Sequence, residues 1–296
     1  MMQCTRTIAA LRLTALVAAV LLLNAGCLLR PIMEFEYDSS GESQELRYIF
    51  QDPEGVYLTT LREDYRLLSR TAAAGSDLER SAILCEWVHG LWEHRPDHVP
   101  SKGDPLSILW EAEEAEGFRT IEYATVLSGV LQSVAIPARF ITMHGHDIEQ
   151  TMKAHVVVEA YLRDEQRWIM LDPRWNRIPM HDGSALSVLQ LQEQMSESPR
   201  EITYYRRGSD RRYTRWIREY LYYFHTNQDS RLHTEVYAYK NLMLVPQNLP
   251  TPRYYSPYHR EQGFSLSDSA SVTHDPDYFY GRPNILFDDD LEAESY

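Results

Sequence analysis

The sequence predicts an α+β fold in which N-terminal helices pack on an antiparallel β-sheet. Three observations carry this expectation. Helix start and stop signals crowd the stretch from about residue 57 to 135. Beyond Pro137 the texture changes to β-branched or apolar runs of strand length. Hydrophobic residues make up 44% of a 296-residue chain, enough for a substantial core in one large or two small domains.

The first element is read as a targeting segment rather than as fold, over residues 1–26. Arg6 and Arg12 supply a positive start, and Leu13 to Leu23 is an apolar run too short to span a bilayer as a permanent helix. Asn24-Ala-Gly-Cys27 follows. It resembles a bacterial lipobox, with Asn24 where that motif usually has Leu. The resemblance implies that Cys27 is lipidated and anchors an exported protein to the membrane of the cell envelope, on the periplasmic side or the surface. Plain cleavage by the ordinary signal peptidase is the alternative. Residues 27–56 read as a linker, marked by Ser39-Ser-Gly-Glu-Ser43.

Of the three cysteines only Cys85 falls in the folded part, so stability there comes from burial and not from disulfides. The formal net charge of −14 disfavours nucleic acid as a partner, because a phosphate backbone needs a basic face. No Cys-x-x-Cys or other zinc spacing occurs, and neither a metal nor a cofactor is expected.

The core is predicted over residues 57–180. Ser76 and Glu79 read as a capping box, followed by a stripe of Leu78, Ala82, Cys85, Val88 and Trp92 at helical spacing. Asp104-Pro105 reads as an N-cap with proline at the first helical position, and that helix should stop near Gly117. Another runs from about Thr120 to Ser133, with Tyr123, Ala124, Leu127, Val130 (or Leu131) and Val134 inward, and ends before Pro137. Strands are expected over Arg139–Met143, His155–Leu162 and Arg167–Leu171. A Tyr-rich extension, 181–249, holds an ambiguous stretch from Tyr213 to His225, helix or strand, and a strand over Val236–Val245. Residues 250–296 are expected as an irregular tail fraying in the acidic run 288–294.

The second and third strands should form a hairpin. With a turn centred between Arg163 and Asp164, His155 lies opposite Asp172, Val157 opposite Met170, Glu159 opposite Trp168 and Tyr161 opposite Gln166. Cross-strand partners on one face sit at Cβ separations of ~4.5–5.5 Å. That suits a carboxylate fixing the tautomer of an imidazole. A one-residue slip would put Asp172 on the other face.

Four blocks, Gly117-Phe-Arg-Thr-Ile-Glu-Tyr-Ala124, Ile136-Pro-Ala-Arg139, His155-Val-Val-Val-Glu159 and Trp168-Ile-Met-Leu-Asp172-Pro173, resemble the core of the transglutaminase-like domain, a branch of the papain-like superfamily. The resemblance implies a papain-like fold and a Cys, His, Asp site in that chain order. His155 and Asp172 stand in place, and Thr120 occupies the slot of the nucleophilic Cys. A threonine hydroxyl is not measurably ionised at neutral pH, whereas a thiol of pKa ~8.5 already is by a few per cent. Threonine nucleophiles elsewhere use the free α-amine of their own chain, which Thr120 lacks. Losing a triad nucleophile costs on the order of 10⁶ in rate. The simpler reading of Thr120 is a helix N-cap.

Three functions compete. The first is a non-catalytic module whose cleft binds a peptide, an amide or a cell-envelope ligand. The second is an acyl-transfer enzyme, an amide hydrolase or protein cross-linker, in which Thr120 attacks, His155 acts as base and then acid, and Asp172 orients His155. The third is a structural envelope protein whose cleft is plugged by the Tyr-rich segment. Trp168 and Trp175 are candidate cleft walls, with core packing the alternative for each. Arg139 is expected to brace the strand after the helix, Arg119 and Glu122 to pair locally or face solvent, and Cys85 to pack in the core. The histidine groups 144/146 and 89/94/98 are weighed as metal sites against plain solvated side chains.

Overall fold

A computed structural model describes residues 31–38, 48–114, 117–232 and 241–281. The predicted targeting segment with Cys27, the serine-rich stretch 39–43, the first half of the strand predicted over 236–245 and the acidic run 288–294 lie outside the described residues.

The helical layer comprises α1 (Val56–Asp64), α2 (Leu67–Arg70), α3 (Asp77–His89), α4 (Pro105–Ala112) and α5 (Thr120–Ser133), with a short parallel ribbon of β1 (Glu93–His94) and β2 (Gly117–Phe118) threaded through it. At the start of α3, Ser76 Oγ accepts from the Glu79 amide at 3.2 Å. The Glu79 carboxylate reaches one residue beyond the cap, to the Gly75 amide at 2.7 Å, so the box closes on Gly75 rather than Ser76. The buried stripe of α3 is Ser81, Leu84, Cys85 and Val88, with Leu78 and Ala82 at its partly covered edge. Asp104 caps α4 by accepting from the Ser107 amide at 3.1 Å, ahead of Pro105.

That helix ends at Ala112 and does not run on to Gly117, which belongs to β2. The Glu93 carbonyl passes so close that a Cβ on Gly117 would sit 1.9 Å from its oxygen. The glycine therefore serves strand approach rather than helix termination. In α5 every residue from Glu122 to Ser133 is buried. A helix covered all round is the centre of its core; α5 touches α1, α3 and α4 on one side and β3 (Ala138–His144) and β4 (Ala154–Leu162) on the other.

Among the described residues the main sheet has six strands in the order β11-β10-β9-β3-β4-β5. These are β3 (Ala138–His144), β4 (Ala154–Leu162), β5 (Arg167–Leu171), β9 (Tyr223–Asn227), β10 (Asn241–Leu244) and β11 (Ala270–Thr273). It is mixed, not wholly antiparallel, because β11 runs parallel to β10. The chain returns to that edge through α8 (Pro257–Gln262) and α9 (Leu266–Ser269), and then α10 (Pro276–Phe279) buries Phe279 completely. The stretch expected as irregular tail thus supplies an edge strand and a core residue. Strands from all three predicted segments, 57–180, 181–249 and 250–296, share this one sheet.

One face of the sheet, with Val158, Ala160, Ile169 and Leu171, packs on the helices. The other, with Ile141, Met143, Val157 and Met170, is covered by Tyr48, Phe50, α6 (Val188–Glu197) and α7 (Arg211–Ile217). Burial on both faces explains why β4 reads as a nearly continuous apolar run. A small second sheet joins β6 (Pro179–His181), β7 (Ser184–Ala185) and β8 (Thr203–Tyr204). The ambiguous stretch from Tyr213 to His225 is both: the rest of α7, a 3₁₀ turn over Arg218–Tyr220, then β9.

The β4–β5 hairpin is displaced two residues from the expected register. Glu159 faces Met170 instead of Trp168, and Tyr161 faces Trp168 instead of Gln166. The loop holds four residues, 163–166, and Gln166 turns it with φ 54°. Its opening pair is tied to the start of α3. Arg163 donates to the Asp77 carboxylate from Nε at 2.8 Å, Nη2 at 2.7 Å and its own amide at 3.1 Å, while Asp164 accepts from the Asp77 amide at 3.0 Å. A two-residue displacement preserves the faces of both strands. His155 and Asp172 therefore remain on one side, as diagonal rather than direct partners.

Candidate functional site

His155, near the start of β4, and Asp172, just past the end of β5, are both buried. His155 Nε2 lies 2.6 Å from Asp172 Oδ2. The Tyr213 hydroxyl donates to the same oxygen at 2.7 Å, and the Trp175 amide donates to Oδ1 at 3.2 Å. The Asp172 backbone is clamped to Arg177 in both directions, at 2.9 and 3.1 Å. Burial, reinforced by the adjacent Asp172 carboxylate, pushes the Tyr213 phenol well above its ordinary range, so it remains a donor at neutral pH. Trp216 meets the His155 ring edge-on at 4.8 Å between centroids, Tyr220 flanks it at 5.8 Å, and Trp175 stands 5.0 Å from Trp216.

Thr120 is the first residue of α5 and is half-buried. It is not the cap: Arg119 holds that position and makes no side-chain capping bond. The hydroxyl of Thr120 instead pairs with His94 Nε2 at 3.3 Å, and among the described residues its hydrogen bond is to His94, not His155. His94 is positioned by the β1–β2 ribbon, where it stands opposite Phe118. Burial first, then the nearby Arg174 and His155, hold its pKa below the ordinary histidine range. A neutral ring can accept from the threonine hydroxyl or donate to it, according to tautomer.

The three histidines of residues 89–98 do not converge. His89 Nδ1 meets the Pro173 carbonyl at 3.1 Å, His94 meets Thr120, and His98 Nδ1 meets the Gly117 carbonyl at 2.6 Å while stacking on Phe118. Together they fasten the segment between α3 and α4 over the site. His144 is buried at the end of β3, whereas His146 is exposed. No group of residues able to hold a metal ion is found among the described residues. Cys85 is fully enclosed, and burial pushes its thiol far above the range of a nucleophile.

An open groove runs past His94. On one side it is about 840 Å³, lined by Trp92, Glu93, Tyr123, Arg174 and Trp175 among others; on the other, about 650 Å³, lined by residues 95–98. Trp175 stands in this wall. Trp168 does not: it is 4% exposed and lies 4.3 Å from the Arg139 guanidinium. Arg139 is wholly buried and pairs with Glu159 at 2.7 Å, which is a stronger form of the bracing role expected for it. Arg119 and Glu122 pair locally at 2.5 Å.

Tyr213, Trp216 and Arg174 were not singled out from sequence, and His94 was weighed only as a metal ligand. A signal for α7 was present: Asp210 caps the helix by accepting from the Tyr213 amide at 3.0 Å, and Tyr213, Trp216, Ile217 and Tyr220 follow at helical spacing.

A hydroxyl residue thus opens the central helix, a histidine lies at the start of one strand and an aspartate closes the next, all on an α+β scaffold. Residues 66–173 match the family model of the transglutaminase-like superfamily, so this stretch of the chain carries a transglutaminase-like domain. Three solved structures are similar to it at low identity. A candidate cysteine protease from Cytophaga hutchinsonii is 12% identical with a TM-score of 0.34, over 58% of this chain and 55% of that one. A candidate protease from Parabacteroides distasonis is 10% identical with a TM-score of 0.29, over 43% and 27%. Red sea bream transglutaminase is 15% identical with a TM-score of 0.26, over 40% and 25%. The chain thus spans about half the length of the first of these and about a quarter of the others. No curated protein sequence matches it.

Proposed function

We propose that this protein uses the groove of its transglutaminase-like domain to bind a peptide or other amide-bearing ligand without turning it over. One observation carries the reading: the buried His155–Asp172 pair is intact, while the residue at the head of α5 is a threonine whose hydroxyl is directed to His94. The start of α5 still offers amide donors and the positive end of the helix dipole to a ligand carbonyl. What is missing is an ionisable nucleophile.

Thr120→Cys tests this. The variant should release ammonia from a glutamine peptide, and modification of the new thiol should abolish that activity, while the native chain stays inert. A native chain that hydrolyses the same peptide would overturn the reading.

A second reading has one observation in its favour. Neutral His94, 3.3 Å from the Thr120 hydroxyl, is placed to act as its base, making the protein an acyl-transfer enzyme through Thr120. Covalent capture of Thr120 by an electrophilic amide-like probe, mapped by peptide mass, would establish it. A clean spectrum across a broad probe panel would remove it.

A further inference from the structure

We propose that Arg174 is the carboxylate anchor of this groove, so that the ligand is an acidic peptide whose carboxylate docks beside the amide held at His94 and Thr120. The proposal rests on the groove being a ligand site, as argued above, and adds the chemistry that selects the ligand.

Arg174 follows Asp172-Pro173 directly and lines the larger side of the groove together with His94 and Trp175. Its guanidinium lies 5.6 Å from the ring centroids of both Trp175 and Trp216. Among the described residues it has no hydrogen bond or ion pair. Other partly or fully buried arginines of the domain do: Arg119 with Glu122, Arg139 with Glu159 and Arg177 with Asp210. An unpaired, half-buried guanidinium stands out in a chain with 43 acidic and 29 basic residues.

Neighbouring carboxylates are engaged elsewhere. Asp172 takes His155, Tyr213 and the Trp175 amide; Glu122 takes Arg119; Glu219 takes Lys153 at 3.6 Å. Glu93 lines the same groove and makes no ion pair with Arg174 among the described contacts. A guanidinium near two indoles gains cation–π attraction while its N–H groups remain available. Those groups match a carboxylate in bidentate fashion, which an ammonium cannot do.

The test uses the full chain carrying Thr120→Cys and compares alkylation of residue 120 by anionic iodoacetate and neutral iodoacetamide, read by peptide mass mapping. Adding Arg174→Gln should lower the iodoacetate-to-iodoacetamide rate ratio about tenfold, the size of one well-made charged contact. Arg174→Lys should fall between. An unchanged ratio in Arg174→Gln would overturn the proposal. Protection of Cys-substituted residue 120 by three peptides then identifies the carboxylate's source: N-acetyl-Gln-Glu-amide, N-acetyl-Gln-Gly with a free terminus, and the neutral N-acetyl-Gln-Gln-amide. One or both acidic peptides should protect at concentrations about tenfold lower than the neutral one; equal protection by all three, or none, overturns it. Failure of the underlying reading looks different. The substituted thiol would then react with iodoacetamide no faster than an ordinary free cysteine, whatever the ratio between the two reagents.

Discussion

His155 and Glu159 project from the same face of β4, four residues apart, and each meets a buried partner of complementary chemistry. At Glu159 the surroundings are closed. Oε2 takes two bonds from Arg139, at 3.2 and 2.7 Å, and Oε1 takes the Val188 amide and the Tyr280 hydroxyl, each at 2.8 Å. Arg139 also donates to the Phe279 carbonyl at 3.0 Å and to Tyr48, and the rings of Tyr48, Trp168, Phe279 and Tyr280 enclose its guanidinium. At His155 the partner carboxylate is also bonded at both oxygens, but Trp216, which packs on the His155 ring, leans on Trp175, and Trp175 lines a groove with His94 and Arg174. Two buried polar pairs on one strand therefore do different work. A polar network saturated on every side can only hold the sheet together, whereas one that abuts a cleft can meet a ligand.

The largest test of this contrast is Glu159→Gln. It leaves the buried Arg139 charge without its counterion, and removing one member of such a pair destabilises by about 3–5 kcal/mol. Urea unfolding should show that loss. In the Thr120→Cys background, iodoacetamide labelling of the folded protein should be unaffected. A loss below about 1 kcal/mol would mean that the cage is not saturated as described.

His144 extends the comparison to a buried polar group with no hydrogen-bond partner among the described residues. Among the described residues neither of its ring nitrogens has a hydrogen bond, His225 lies 6.1 Å away, and Tyr255 and His259 complete the cluster. Burial first, then His225 and His259, pushes its pKa down to about 3. The unfolded chain takes up a proton below its ordinary pKa of about 6.5, while the folded protein resists until far lower pH. The stabilising contribution is therefore complete above about pH 6.5 and is lost as pH falls towards the folded value, amounting to about 2 kcal/mol by pH 5. His144→Phe, which needs no hydrogen-bond partner, should flatten the fall in urea midpoint between pH 7 and pH 5. An equally steep fall in the variant would assign the effect to other groups.

Tyr213→Phe should have the smallest stability effect, about 1.5 kcal/mol for one bond to a charged acceptor. Unlike Glu159→Gln it should alter the labelling rate at a Cys-substituted residue 120, because Tyr213 shares Asp172 Oδ2 with His155. If both variants moved stability alone, the division between sealed cage and open site would not hold.

Much of this architecture was readable before any coordinates. Ser76 and Asp104 start helices through bonds to amides three residues away, and Pro137 bounds the central helix. The strand runs and the shared face of His155 and Asp172 follow from a two-residue period. Such signals are legible because both partners lie within a few residues. Thr120 reads as a cap by the same local logic, yet the fold gives its hydroxyl to His94, 26 residues earlier.

The sequence by itself determined where helices begin, where strands lie and which faces they bury, since these depend on short-range hydrogen bonding and side-chain period. Tertiary structure alone decided the hairpin register, set by Asp77 holding the turn 86 residues on. It also decided the edge strand drawn from the tail, the enclosure of Arg139 by Phe279 140 residues away, and the seating of Tyr213 on Asp172. Partners so distant leave no periodic trace along the chain; they are selected only when packing brings their surfaces together and a buried polar group must find a mate.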